Sequence, residues 1–255
     1  MNSIEQHNLQ QIEDLNQRGG RTLSIIDLIE ANTVSLDMAA RLLCKVAQGA
    51  SFLTAARPGG AGKTTLMACL LSFLKPGTRI VTVSDSDVLR SAPRERNPAG
   101  PLCYLAHEIG SGHYYGYIWN EDVSHFLALT QAGHTIASCL HADTLPELTG
   151  ILVGNLRVPP ATFAKVDLIL FMNAQYGGDG YRRRVAAVYE ADPEEQAHVL
   201  LYKWEPSSDT HTASDHMTTP PPWKDAKELL TGLLKQGVRD FAQVRAEIAG
   251  FCGPS

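Results

Sequence analysis

No C-x-x-C pair occurs in these 255 residues, and the five cysteines, Cys44, Cys69, Cys103, Cys139 and Cys252, are odd in number and widely spaced. Reduced, buried thiols explain that pattern better than a disulfide framework or a zinc knuckle. Basic charge is scarce as well: 22 Lys and Arg stand against 27 Asp and Glu, a net charge of −5. A protein that grips a nucleic-acid backbone favours a strongly basic face, so no nucleic-acid partner is expected. No apolar run approaches the roughly 20 residues of a membrane span. The opening "MNSIEQHNLQQIEDLNQRGG" lacks the basic-then-apolar order of a secretory signal, and there is no internal repeat. These absences lead to the expectation of a cytoplasmic protein. Its 44% apolar and 19% charged residues are ordinary for a globular chain.

What is present is an alternation. Residues 1–20 form a polar arm with loosely helical apolar spacing, ended by Gly19 and Gly20. "SLDMAARLLCKVAQG" predicts a helix capped by Ser35, with Leu36, Ala39, Leu43 and Val46 on one face. "ASFLTAA", "TRIVTVS", "LCYLAH" and "HTIASCL" predict strands; "TTLMACLLSFL" and "NEDVSHFLALTQAG", the latter with Asn120 as its cap, predict helices between them. That order implies an α/β fold with a mostly parallel sheet flanked by helices. "VDLILFMNA" and "YRRRVAAVYEA", joined by "QYGGDG", predict an antiparallel hairpin, and "HVLLYKWE" a further strand. The core is thus expected over 21–204, a polar Pro-rich loop over 205–222, and a helical segment over 223–255.

"RPGGAGKTT", Arg57 to Thr65, sits between a strand and a helix, the context that the phosphate-binding pattern G-x-x-x-x-G-K-S/T requires. Gly59, Gly60 and Gly62, with Ala61 between them, let successive N–H groups turn into one concavity, and the helix start adds a positive dipole end. Lys63 supplies a point charge for phosphates, the Thr64 hydroxyl a ligand for Mg2+, and Thr65 follows on the same turn. Arg57 stands where a glycine is usual. The bland alternative is a Gly-rich turn that happens to contain a lysine.

Hydrolysis needs a carboxylate at a neighbouring strand end. Asp85 and Asp87 follow "RIVTVS", and Glu108 follows "LCYLAH". Loops from the carboxyl ends of such strands open toward the ligand crevice. Each acid also fits a helix cap or a solvated loop, Asp87 most of all.

Four segments in order resemble the hexameric ATPases of type II and type IV secretion, type IV pili and archaeal archaella: "GGAGKTTL" their Walker A, "VTVSDSD" their Asp box, "PLCYLAHEIG" their Walker B, and "AGHTIASCLHADT" their His box. "LRSAPRER" is similar to the Arg-rich segment before Walker B, and the hairpin and the lead-in from 22 onward also look like the family's. The resemblance covers roughly residues 22–190 of the chain and implies a RecA-like P-loop core that binds ATP and Mg2+. It gives Lys63 and Thr64 the phosphate and metal roles and Glu108 the water-orienting role. Asp85 matches the Asp-box acid, so Thr64, Asp85 and Glu108 form the implied metal set. His134 and His141 match the His box, with His141 as a phosphate sensor. Arg90, Arg94 and Arg96 are the arginines implied to act on phosphate, within one subunit or across a boundary. Arg182–Arg184 read as a solvated strand. The spacing of His107, His113 and His125 fits no usual metal pattern.

The chain also departs from that pattern. Ser84 replaces a Glu, His107 a Gly and Gly110 an Arg, and "SGHYYGYI" resembles an insertion after Glu108; the comparison with the family also leads to the expectation that only the arm stands in for its separate N-terminal domain. The resemblance implies a motor that works as a homohexamer, peripheral at the inner face of the membrane on a platform protein of a secretion or pilus machine. A nucleotide-binding regulator that hydrolyses poorly is the alternative.

Overall fold

A computed structural model describes residues 3–16, 19–92, 100–177, 180–214 and 222–253. Five parallel strands form its centre, side by side in the order β7 (Leu168–Gly177), β1 (Phe52–Ala55), β6 (Thr135–Leu140), β3 (Leu102–Leu105) and β2 (Arg79–Thr82). From β7 the sheet continues antiparallel through β8 (Gly180–Asp192), β9 (Ala197–Glu205) and β10 (Thr210–Ala213). Two short strands, β4 (Glu108–Ile109) and β5 (Tyr117–Ile118), pair with each other in parallel, and β4 also joins β6.

The strands alternate as period two demands. Phe52, Ala137, Cys139, Leu168, Leu170, Cys103 and Leu105 enter one core. Leu53, Ala55, Ile136, Leu140, Ile169, Phe171 and Tyr104 enter the other. Because both faces are buried, the central strands read as continuous apolar runs. The first face is covered by α1 (Ser3–Glu13), α2 (Ile25–Glu30), α3 (Leu36–Ala47), α4 (Lys63–Leu71), α9 (Trp223–Gln236) and α10 (Phe241–Cys252). The second is covered by α5 (Ser86–Ser91), α6 (Glu121–Ala128), α7 (Leu145–Thr149) and α8 (Pro160–Phe163), with a π-helical turn over Gly150–Asn155. The α/β class with a mostly parallel sheet and a C-terminal antiparallel hairpin is therefore the observed architecture.

The polar arm has a definite task. Its helix α1 lies against the open edge of β2, where the Asn8 amide donates to the Thr78 carbonyl (2.7 Å) and accepts from the Ile80 N–H (2.9 Å). His7 reaches the Ile80 carbonyl at 2.9 Å, and the Thr82 hydroxyl donates to Gln11 at 2.6 Å. These side chains satisfy strand groups that another strand would otherwise pair. Arg245 of α10 grips Glu5 of α1 with two bonds (3.0 and 2.8 Å) and donates to the Ser72 and Leu74 carbonyls (3.0 and 2.5 Å).

Some expectations change. Ser35 caps α3 as expected, accepting from Met38 N at 3.2 Å. Asn120 precedes α6 with φ 54° but makes no side-chain cap bond, and the helix gives way to a 3-10 turn over Leu129–Ala132. The stretch 205–222 is not all loop: Thr210–Ala213 forms β10, because the turn at Asp209 (φ 51°) folds the chain back onto β9. The Asp209 carboxylate holds that turn by accepting from Arg184 (2.7 and 2.8 Å) and from the Trp204 indole (2.9 Å), which keeps its pKa below the usual range. Arg184 is accordingly buried rather than solvated. Among the described residues no helix is long and apolar enough to cross a membrane.

Candidate nucleotide site

The phosphate loop lies at the carboxyl end of β1, between the ends of β6 and β7. Gly62 adopts φ 101°, and a Cβ there would come within 3.2 Å of Met172 Cε and 3.3 Å of Arg183 Cδ. Only glycine suits that combination of a left-handed backbone and close cover. Lys63 opens α4; its buried ammonium donates to the Ala56 carbonyl at 3.0 Å, and the Thr54 hydroxyl donates to the Lys63 carbonyl at 3.1 Å. The loop is thereby anchored at both ends to the strand that precedes it.

His141 and Glu108 arrive from β6 and β4. His141 Nδ1 stands 2.7 Å from the Arg57 carbonyl and 3.4 Å from Lys63 Nζ, and its Nε2 lies 3.4 Å from Glu108 Oε1. The Arg57 carbonyl accepts from a protonated Nδ1, whereas the Lys63 ammonium donates to a bare one, so the tautomer of His141 decides which of the two it engages. The contact between Nε2 and Glu108 is an ion pair only when both ring nitrogens carry protons. Cys139 Sγ donates to the His107 carbonyl at 3.0 Å and lies 4.0 Å from Glu108 Oε2, with the Thr64 hydroxyl bonded to it. Burial, and then the Glu108 charge, push this thiol up to about 12, so it stays a neutral spacer. Thr64 and Glu108 thus flank one sulfur.

Arg57 turns outward. Its N–H donates to Asp143 at 2.7 Å and its guanidinium pairs with Glu147, whose other oxygen accepts from Asp143 N at 2.9 Å. The segment after β6 is in this way tied to the first residue of the phosphate loop, which accounts for an arginine where glycine is usual.

A cleft of about 620 Å³ opens over this arrangement. It is lined by residues 59–65, His107, Glu108, Tyr117 and His141, and on its far wall by Ile12, Leu15, Leu23 and Leu28. The hairpin supplies Tyr181 and Arg183. Arg183 Nε donates to the Gly60 carbonyl at 2.9 Å while its guanidinium carbon sits 4.6 Å above the Tyr181 ring.

Of the residues expected from the sequence, Gly59, Gly60, Ala61, Gly62, Lys63, Thr64, Thr65, Glu108 and His141 come together in the cleft. Asp85 does not line it: its carboxylate caps α5, accepting from Asp87 N (2.9 Å) and Val88 N (3.2 Å), and the Ser84 hydroxyl, first among these donors, lowers its pKa. Arg90 pairs with Asp87 on the exposed side of α5. His134 is buried edge-on to Tyr104, 5.4 Å away, at the start of β6 and so at the opposite end of the sheet from the cleft. Arg94 and Arg96 lie outside the described residues. His107 is buried beside the cleft, its pKa lowered by burial, with both ring nitrogens lacking a partner among the described residues. Among those residues no group of three or more His, Cys, Asp or Glu side chains has the arrangement to hold a metal. Arg183, Tyr117 and the far wall were not legible as site residues, because only the folded chain brings the hairpin beside β1, β5 beside β4 and residues 12–28 over the phosphate loop.

No protein-family model matches the chain. The uncharacterized protein MJ0900 of Methanocaldococcus jannaschii is 25% identical over 210 residues, which span 74% of this chain and 38% of that protein. The chain therefore covers well under half the length of that relative. Among solved structures, the ATPase DotB of Legionella pneumophila is similar at 13% identity, with a TM-score of 0.45 over 82% of this chain and 58% of that one. The VirB11 ATPase of the Brucella suis type IV secretion system, solved with sulphate, is similar at 18% identity, with a TM-score of 0.41 over 77% of this chain and 60% of that one. The functional reading rests on the residues of the cleft itself.

Proposed function

We propose that this chain binds Mg-ATP in the cleft and hydrolyses its terminal phosphoanhydride. The observation that carries the proposal is the convergence of Lys63, Thr64, Glu108 and His141, from α4, β4 and the end of β6, around a glycine loop at the carboxyl ends of parallel strands. In this reading the loop N–H groups and Lys63 hold the β- and γ-phosphates. Thr64 and Glu108 offer the hydroxyl and carboxylate oxygens that suit Mg2+, an ion that keeps most of its waters and shares the phosphates. Bound there, it would neutralise charge on the β- and γ-oxygens. Glu108 orients a water whose oxygen bonds to the γ-phosphorus as the bond to the bridging oxygen breaks. His141, touching both the lysine and the acid, is placed to report whether the γ-phosphate is present.

The resemblance to secretion and pilus ATPases supports extending the reading to a motor that couples hydrolysis to movement between subunits, with a homohexamer and a membrane platform protein as partners. The mass of the chain in solution, with and without Mg-ATP, tests the assembly. For the activity, Mg-ATP at 100 times its Kd is expected to stabilise the wild type by about 3 kcal/mol in a thermal-shift assay. Lys63→Ala should abolish that shift, and Glu108→Gln should keep it while ending phosphate release. Turnover that survives both changes would sink the proposal. A second reading, a nucleotide-binding regulator without fast hydrolysis, is favoured by one observation: Asp85 caps a helix instead of reaching the cleft. It predicts the thermal shift with negligible phosphate release.

A further inference from the structure

The segment after Glu108, where the chain departs most from the secretion-ATPase pattern, returns beside the acid. The parallel pairing of β4 and β5 sets Glu108 opposite Tyr117 and Ile109 opposite Ile118. It is closed at both ends, by His107 N to the Gly116 carbonyl (2.7 Å) and Gly110 N to the Ile118 carbonyl (3.1 Å). Directly opposed residues of neighbouring strands point to the same face. Both side chains accordingly line the cleft.

We infer that Tyr117 is a positioning residue for Glu108, its phenol donating to the carboxylate and fixing the rotation of that acid beside the phosphate loop. The register sets the Tyr117 side chain next to the Glu108 carboxylate on that face. A phenol keeps its proton near neutral pH, so toward a carboxylate it acts as the donor. The Tyr117 ring is braced by Tyr114, edge-on at 5.1 Å. Gly110 leaves room for the pair: a Cβ there would lie 3.0 Å from Glu108 Oε1 and 3.6 Å from Tyr117 Cδ2. An arginine in its place would have to displace the carboxylate. With Tyr117 on one side and His141 on another, Glu108 loses the free rotation of an exposed carboxylate, and a pre-set acid spends less of the barrier on orientation.

The inference rests on the hydrolysis reading, and the test separates the two. Tyr117→Phe keeps the ring and its packing and removes only the hydroxyl. It is expected to lower kcat for phosphate release about tenfold with KM for ATP unchanged. Added to Glu108→Gln, it should cause no further loss. In protein labelled with 13C at tyrosine Cζ, the resonance missing from Tyr117→Phe should move in Glu108→Gln. Wild-type turnover in Tyr117→Phe, with turnover lost in Glu108→Gln, overturns the role of Tyr117 and leaves hydrolysis standing. Turnover retained in Glu108→Gln overturns both. If the wild type binds ATP but releases no phosphate, the hydrolysis reading falls alone; an unmoved Cζ resonance in Glu108→Gln then overturns the phenol–carboxylate contact as well, and a moved one upholds it.

Discussion

At the scale of single residues, Arg183 joins the hairpin to the phosphate loop. Its stem packs over Gly62, its Nε holds the Gly60 carbonyl, and among the described residues no carboxylate pairs with its guanidinium. A charge so placed favours an anionic ligand in the cleft. Arg183→Ala is expected to weaken ATP binding about tenfold, as loss of one charge-assisted bond does. Arg183→Lys should recover only part of it, since an ammonium cannot hold the carbonyl and stack on Tyr181 together. Calorimetric titration reads both, and equal affinity in the wild type and Arg183→Ala would refute the assignment.

At the scale of elements, α1 acts as a substitute strand for the β2 edge. Asn8→Ala leaves the buried Thr78 carbonyl and Ile80 N–H without their partner and is expected to cost about 2 kcal/mol in urea unfolding. It also bares a strand edge that other chains can pair with, so light scattering should rise at high protein concentration. An unchanged midpoint would show the edge to be satisfied by other means. The alternation of strands and helices, the parallel centre and the hairpin were all legible in the sequence, because central strands buried on both faces are unbroken apolar runs. Less legible was what depends on neighbours far away in the chain. Asn8 and Gln11 read as an ordinary polar arm, since nothing local marks an amide that will meet a strand some seventy residues on. The 182–184 arginines read as one solvated run, yet alternate strand faces send Arg183 to the phosphate loop and Arg184 to Asp209. Asp85 illustrates the reverse: its local signal, a helix cap, was stronger than its place in the family's pattern.

At the scale of the whole molecule, one buried and two half-buried imidazoles tie stability to pH. His107, His198 and His211 each have a pKa lowered from the ordinary 6.5, burial being the largest cause. A depressed folded pKa means that the unfolded chain takes up protons first. The stability these groups contribute is therefore complete above about pH 6.5 and is lost as pH falls toward their folded values. The urea midpoint should drop between pH 7.5 and pH 5.5; one that held or rose would contradict this. The clasp between Glu5 and Arg245 has a consequence in time as well as in space. A ribosome delivers α1 before its two anchors, β2 and α10, and α10 well after the phosphate loop. The phosphate loop can fold against its neighbouring strands before then. The far wall of the cleft, which Ile12 and Leu15 supply, is secured only once α10 has joined it, so a nascent chain carries its anion cradle before it carries a finished pocket.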